Sequence, residues 1–87
     1  MPPAGYTFTR PAERDFARLP VQAQQRIVTA LDRYVGEERR GDVKKLAGGG
    51  DEWRLRVGDW RLRFRYSEDG RTLVVVRVRP RGRAYRD

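Results

Sequence analysis

Eighty-seven residues without a cysteine or a histidine amount to one domain, expected to span 1–87. They exclude disulfides, thiolate metal centres and the usual general base. The formal net charge is +8, and the excess thickens along the chain. Residues 1–50 carry nine Lys or Arg against six acids, while residues 51–87 carry eleven Arg and no Lys against six.

Such a balance points to an anionic partner: nucleic acid, a ribosome, an acidic protein or an anionic membrane. No apolar run approaches the length that crosses a bilayer. The opening MPPAGYTF has no apolar stretch of the signal-peptide kind, so a cytoplasmic protein is expected.

In chain order, GYTFTR alternates Tyr6 and Phe8 with Thr7 and Thr9 and predicts a short first strand. Thr9 or Arg10 can cap a helix, and Pro11 suits its first turn. PAERDFARL then sets Ala12, Phe16 and Leu19 on one helical face. Pro20 ends that helix and can open the next. VQAQQRIVTALDRYV places Ala23, Ile27, Ala30, Leu31, Tyr34 and Val35 at helical spacing. The two form an αα-hairpin whose apolar stripe reads as core. A DNA-reading helix-turn-helix is disfavoured, because the basic residues do not gather on the second helix.

GDVKKLAGGGDE reads as a loop. It lacks the Walker spacing that a phosphate cradle would need. EWRLRVGDWRLRFRY is a hairpin turned at Gly58-Asp59. SEDGR is a second turn, and TLVVVRV is a strand with apolar residues on both parities, hence central. The order β-α-α-β-β-β predicts an α+β fold: an antiparallel four-stranded sheet with the helix pair on one face.

A two-residue turn at 58–59 fixes the register: Val57 opposite Trp60, Arg56 opposite Arg61, Leu55 opposite Leu62, Arg54 opposite Arg63. The period of two puts all four arginines on one side and the apolar partners, with Trp53 and Trp60, on the other. Like charges directly opposite each other cost a few tenths to about 1 kcal/mol per pair, so the arrangement suits a polyanion better than a bare surface. Arg77 and Arg79 share a parity opposite to Val74, Val76 and Val78, and extend the basic face if their strand pairs with 60–66. Arg81, Arg83 and Tyr85 come after them. Guanidinium groups with an aromatic stacking platform, and no major-groove helix, favour single-stranded RNA.

Three segments together resemble the RelE-like toxins of bacterial toxin–antitoxin modules: YTFTRPAERDFARLP, the run from Leu46 to Arg61, and the ending VRPRGRAYR. The resemblance implies an αα-hairpin over a four-stranded antiparallel sheet, related to the microbial ribonucleases. It implies an endoribonuclease that enters the ribosomal A site and cuts mRNA without a metal or other cofactor, the ribose 2′-OH attacking the adjacent phosphate. It also implies a cognate antitoxin that masks the basic surface.

By the same resemblance, Arg54 and Arg56 stand where relatives carry two active-site lysines. Arg61 is the hairpin arginine that contacts the scissile phosphate and is assigned as general acid. Arg81 is a later phosphate-binding arginine, with Arg79 its rival, and Tyr85 is the tyrosine that stacks on a base. Arg63, Arg77, Arg79 and Arg83 are expected to bind substrate. Arginine does not deprotonate in proteins, so the base is sought among Glu52, Asp51, Tyr85 and ribosomal RNA. Two alternatives stay open: a ParE-like inhibitor of DNA gyrase, and a member that binds nucleic acid or antitoxin without cutting.

Overall fold

The computed structural model describes residues 3–36, 41–48 and 50–80. Its elements run β1 (Gly5–Phe8), α1 (Arg10–Ala17), α2 (Val21–Val35), β2 (Asp42–Lys45), β3 (Trp53–Val57), β4 (Trp60–Tyr66) and β5 (Thr72–Pro80). They build an α+β fold with one sheet of order β1-β5-β4-β3-β2.

Two features correct the expected antiparallel four-stranded sheet. First, Asp42–Lys45 is a fifth strand, antiparallel to β3, where a loop was expected. Only Val43 turns toward the core, so the segment shows no alternation to read. An edge strand tolerates that, and Lys44 and Lys45 are the kind of charges that keep an edge from pairing further. Second, β1 pairs parallel to β5, Gly5 opposite Thr72 through Phe8 opposite Val75. The helical hairpin after β1 carries the chain to the far edge of the sheet at β2, and β3 and β4 lead back to β5, which gives the long connection that a parallel pair requires.

Thr9 caps α1: its hydroxyl accepts from the Ala12 N–H and donates to the Val76 carbonyl at 3.1 Å. Pro11 occupies the first turn, and Pro20 stands at the N-cap of α2. Gly58 takes φ +57 in the β3–β4 turn, which a side chain would strain.

The core lies between the helices and the inward sheet face. Ala12, Ile27 and Leu31 meet Leu55, Val57, Leu62, Phe64, Leu73, Val75 and Val78, with Trp53 and Trp60 packed at its margin. Each fully buried Leu, Ile or Phe contributes about 1.5–3 kcal/mol.

The hairpin register is the one the turn predicts. The next strand is not so regular. Arg63 faces Arg77 but Phe64 faces Val75, so Val76 is an extra residue in β5. This bulge reverses the alternation, and the inward residues are Leu73, Val75 and Val78 rather than Val74, Val76 and Val78. A run of three valines hides such a switch, since either parity is apolar.

Candidate active site

The outward sheet face is ruled by two rows that cross the strands. One runs Asp42, Arg56, Arg61, Arg79 over β2, β3, β4 and β5. The other, two residues along each strand, runs Lys44, Arg54, Arg63, Arg77. Neighbouring members stand on strands about 4.8 Å apart. Arg54, Arg56, Arg61, Arg63, Arg77 and Arg79 are thus brought onto one surface, joined by Lys44 from the added strand. Arg81, Arg83 and Tyr85 lie outside the described residues.

The two rows differ in how their charge is met. In the Lys44 row every arginine has an acid. Arg54 reaches Asp42 at 3.5 Å. Arg63 donates through Nε and a terminal nitrogen to a single oxygen of Glu52, at 3.1 and 2.7 Å. Arg77 grips both oxygens of Asp15 at 2.8 and 3.1 Å. In the other row, Arg56 and Arg79 form no ion pair among the described residues. The positive charge open to a ligand is therefore concentrated at the Arg56 end of the hairpin.

Asp15 comes from α1, which lies along β5 beyond the end of β1. There the β5 edge would otherwise be bare, and Asp15 also accepts the Val78 N–H at 3.0 Å. Burial pushes its carboxyl up. The Arg77 and Val78 hydrogen bonds and the charges of Arg77 and Arg79 outweigh this and hold it below the usual aspartate range. Sequence offers no local signal for this contact, which joins residues 62 positions apart. Glu52 was legible in part, because it shares the parity of Arg54 and Arg56.

Arg54 carries a further mark. Its Nε is buried and makes no hydrogen bond among the described residues. An unsatisfied buried donor costs about 1–3 kcal/mol, so this side chain is held at some expense to folding. On the core side, Tyr34 and Tyr66 join hydroxyls at 2.7 Å. Burial and that contact push the Tyr66 phenol up, and Trp53 packs edge-on against its ring. Among the described residues no three acids gather to ligand a metal.

The backbone is that of a known class of toxin. It matches the RelBE2 toxin–antitoxin complex of Mycobacterium tuberculosis with TM-score 0.73 and 29% identity, covering 91% of this chain and 99% of that one. The archaeal RelE–RelB complex of Pyrococcus horikoshii matches with TM-score 0.72 and 25% identity, over 95% and 99%. The isolated E. coli RelE toxin shares the fold, with TM-score 0.73 at 16% identity over 94% and 88%.

Residues 6–85 match the family model described as the ParE toxin of the type II toxin–antitoxin system parDE. The chain belongs to that family and is a RelE-like toxin of the RelE/ParE superfamily. No curated protein matches the sequence.

Proposed function

We propose that this toxin is an endoribonuclease that cuts mRNA in the ribosomal A site, the 2′-OH attacking the adjacent phosphate without a metal. The observation that carries the reading is the Arg56–Arg61–Arg79 row, three guanidinium positions directly opposite one another on three strands. A folded surface gains nothing from such a row. A pentacovalent phosphorane gains a great deal, because preorganised cations stabilise the charge that develops on it.

In this reading Arg61 contacts the scissile phosphate, with Arg54 and Arg56 beside it and Arg79 or Arg81 as a further phosphate ligand. Tyr85 stacks on a base, and Arg63, Arg77 and Arg83 line the path of the strand. Asp42 and Asp15 act as braces for Arg54 and Arg77.

A cognate antitoxin is the expected partner, as in the RelBE2 and archaeal RelE–RelB complexes. Two adjoining clefts of about 450 and 500 Å³ share Phe16 and Val28 on the helical side. Val21, which lines the second of them, is 66% exposed. An apolar strip of this kind on a basic toxin suits an amphipathic segment of an acidic partner.

The test is cleavage of mRNA on programmed ribosomes, with naked RNA as control. The wild type cuts in the A-site codon and Arg61→Ala does not. The family-model match to ParE toxins favours a second reading, inhibition of DNA gyrase. Intact mRNA together with gyrase-dependent DNA breaks would establish that reading in place of the first.

A further inference from the structure

The arginine face lacks an obvious proton acceptor, and the structure narrows the choice. Among the described residues, three carboxylates touch it. Asp15 has both oxygens committed, to Arg77 and to the Val78 N–H. Asp42 sits on the edge strand, 57% exposed, in a long 3.5 Å contact with Arg54. Glu52 is different: it lies within the face, with its side chain 25% exposed. Both hydrogen bonds from Arg63 fall on its Oε1, and Oε2 has no partner among the described residues. Asp51 belongs to the exposed turn before β3.

We infer that Glu52 is the general base of the proposed cleavage, oriented by Arg63 through Oε1 and taking the proton of the ribose 2′-OH on Oε2. The inference rests on the nuclease reading above. Its support is geometric. Glu52 and Arg61 lie on opposite sides of the Arg54–Arg63 pair along the hairpin, two side-chain steps apart, about 14 Å at the backbone. Arg63, which holds Glu52, stands between the two along the hairpin. An in-line displacement needs this order: base at the attacking oxygen, cations at the phosphorus, and a positive group at the leaving oxygen.

The bonds balance without a co-reactant. O2′ loses its proton to Glu52 and bonds to phosphorus. The P–O5′ bond breaks with its electron pair on O5′, which takes a proton from solvent, and Glu52 returns its own. The products are a 2′,3′-cyclic phosphate and a 5′-hydroxyl.

The experiment uses the full chain on programmed ribosomes, with mRNA carrying ribose or 2′-deoxyribose at the cut site. Wild type cuts only the ribose substrate. Glu52→Gln keeps a carbonyl oxygen for Arg63 but loses the base, and slows cleavage about a hundredfold or more. Glu52→Asp falls between them. Added formate or acetate restores cleavage to Glu52→Ala, and the restored rate rises with the basicity of the carboxylate, which a purely structural brace does not produce.

Cleavage by Glu52→Gln within threefold of wild type overturns the inference and leaves the nuclease reading standing. So does a rescue indifferent to basicity. A wild type that leaves the ribose substrate intact overturns the nuclease reading and this inference with it. The Gln variant decides the matter even where the Ala variant fails to fold.

Discussion

Asp15 of α1 holds Arg77 of β5 in a two-pronged ion pair and accepts the neighbouring Val78 N–H as well. One carboxylate therefore fixes a helix to the sheet, closes a strand edge and neutralises an arginine.

Asp15→Ala leaves the Arg77 guanidinium and the Val78 N–H without their acceptor. It should lower stability by about 2 kcal/mol, the range of hydrogen bonds to a charged group. Urea unfolding of the two proteins gives the difference directly. The pH dependence has a definite sign. The folded carboxyl is held below its ordinary value, so its contribution is complete above the unfolded value of about 4. It is lost as the pH falls through the depressed folded value. The stability gap between wild type and Asp15→Asn should be widest at neutral pH and close at the acid end.

Arg56→Gln should change stability by only a few tenths of a kcal/mol, about neutral overall, because it removes at once the repulsion from Arg61 and the attraction of Asp42, which stand opposite it on the two neighbouring strands. The same change should weaken RNA binding and reduce the salt dependence of the affinity by about 0.7 per lost phosphate contact. Thermal unfolding and filter binding at several salt concentrations measure the two effects. A loss of stability together with unchanged binding would show that the row serves packing alone.

Tyr34 and Tyr66 share one hydrogen bond on the core side. Each single Phe variant strands the other hydroxyl in a half-buried site and should cost about 1 kcal/mol. The double variant should cost less than the two together, which a double-mutant cycle reads. The raised Tyr66 phenol contributes fully below about pH 10 and is lost as pH rises through its folded value. Ultraviolet titration should find Tyr66 ionising after an unperturbed tyrosine.

Gly58→Ala should cost about 1 kcal/mol by placing a β-carbon at φ +57. Gly58→Asn should recover part of that, since asparagine accepts the left-handed region more readily. Denaturant midpoints for the pair rank them.

The sequence was most legible where periodicity and a turn signal agreed. Gly58-Asp59 settled the hairpin register, and Pro11 and Pro20 marked the helices. The switch at Val76 was hidden because Val74, Val75 and Val76 look alike from either face. Strand β2 was hidden because its pairing depends on β3 and not on its own composition. The same limit applied at the site. The hairpin rule located Arg54, Arg56, Arg61 and Arg63 on one surface, but the acids that meet Arg63 and Arg77 answer to tertiary distance. Asp15 in particular reads as an ordinary helix-surface aspartate until α1 is laid along β5.

The parallel pairing of β1 with β5 also sets the order in which the molecule can assemble. Gly5–Phe8 emerges early from the ribosome but finds its sheet partner in residues 72–75. Until those residues are synthesised, the N-terminal strand has no β5 to hydrogen-bond, the Thr9 hydroxyl has no Val76 carbonyl to reach, and Asp15 has no Arg77 to hold. The early, local helical hairpin is thus a waiting structure, and closure of the fold is a late, long-range event. The same late pairing brings Arg77 and Arg79 beside the hairpin, so the basic face is complete only when the sheet has closed.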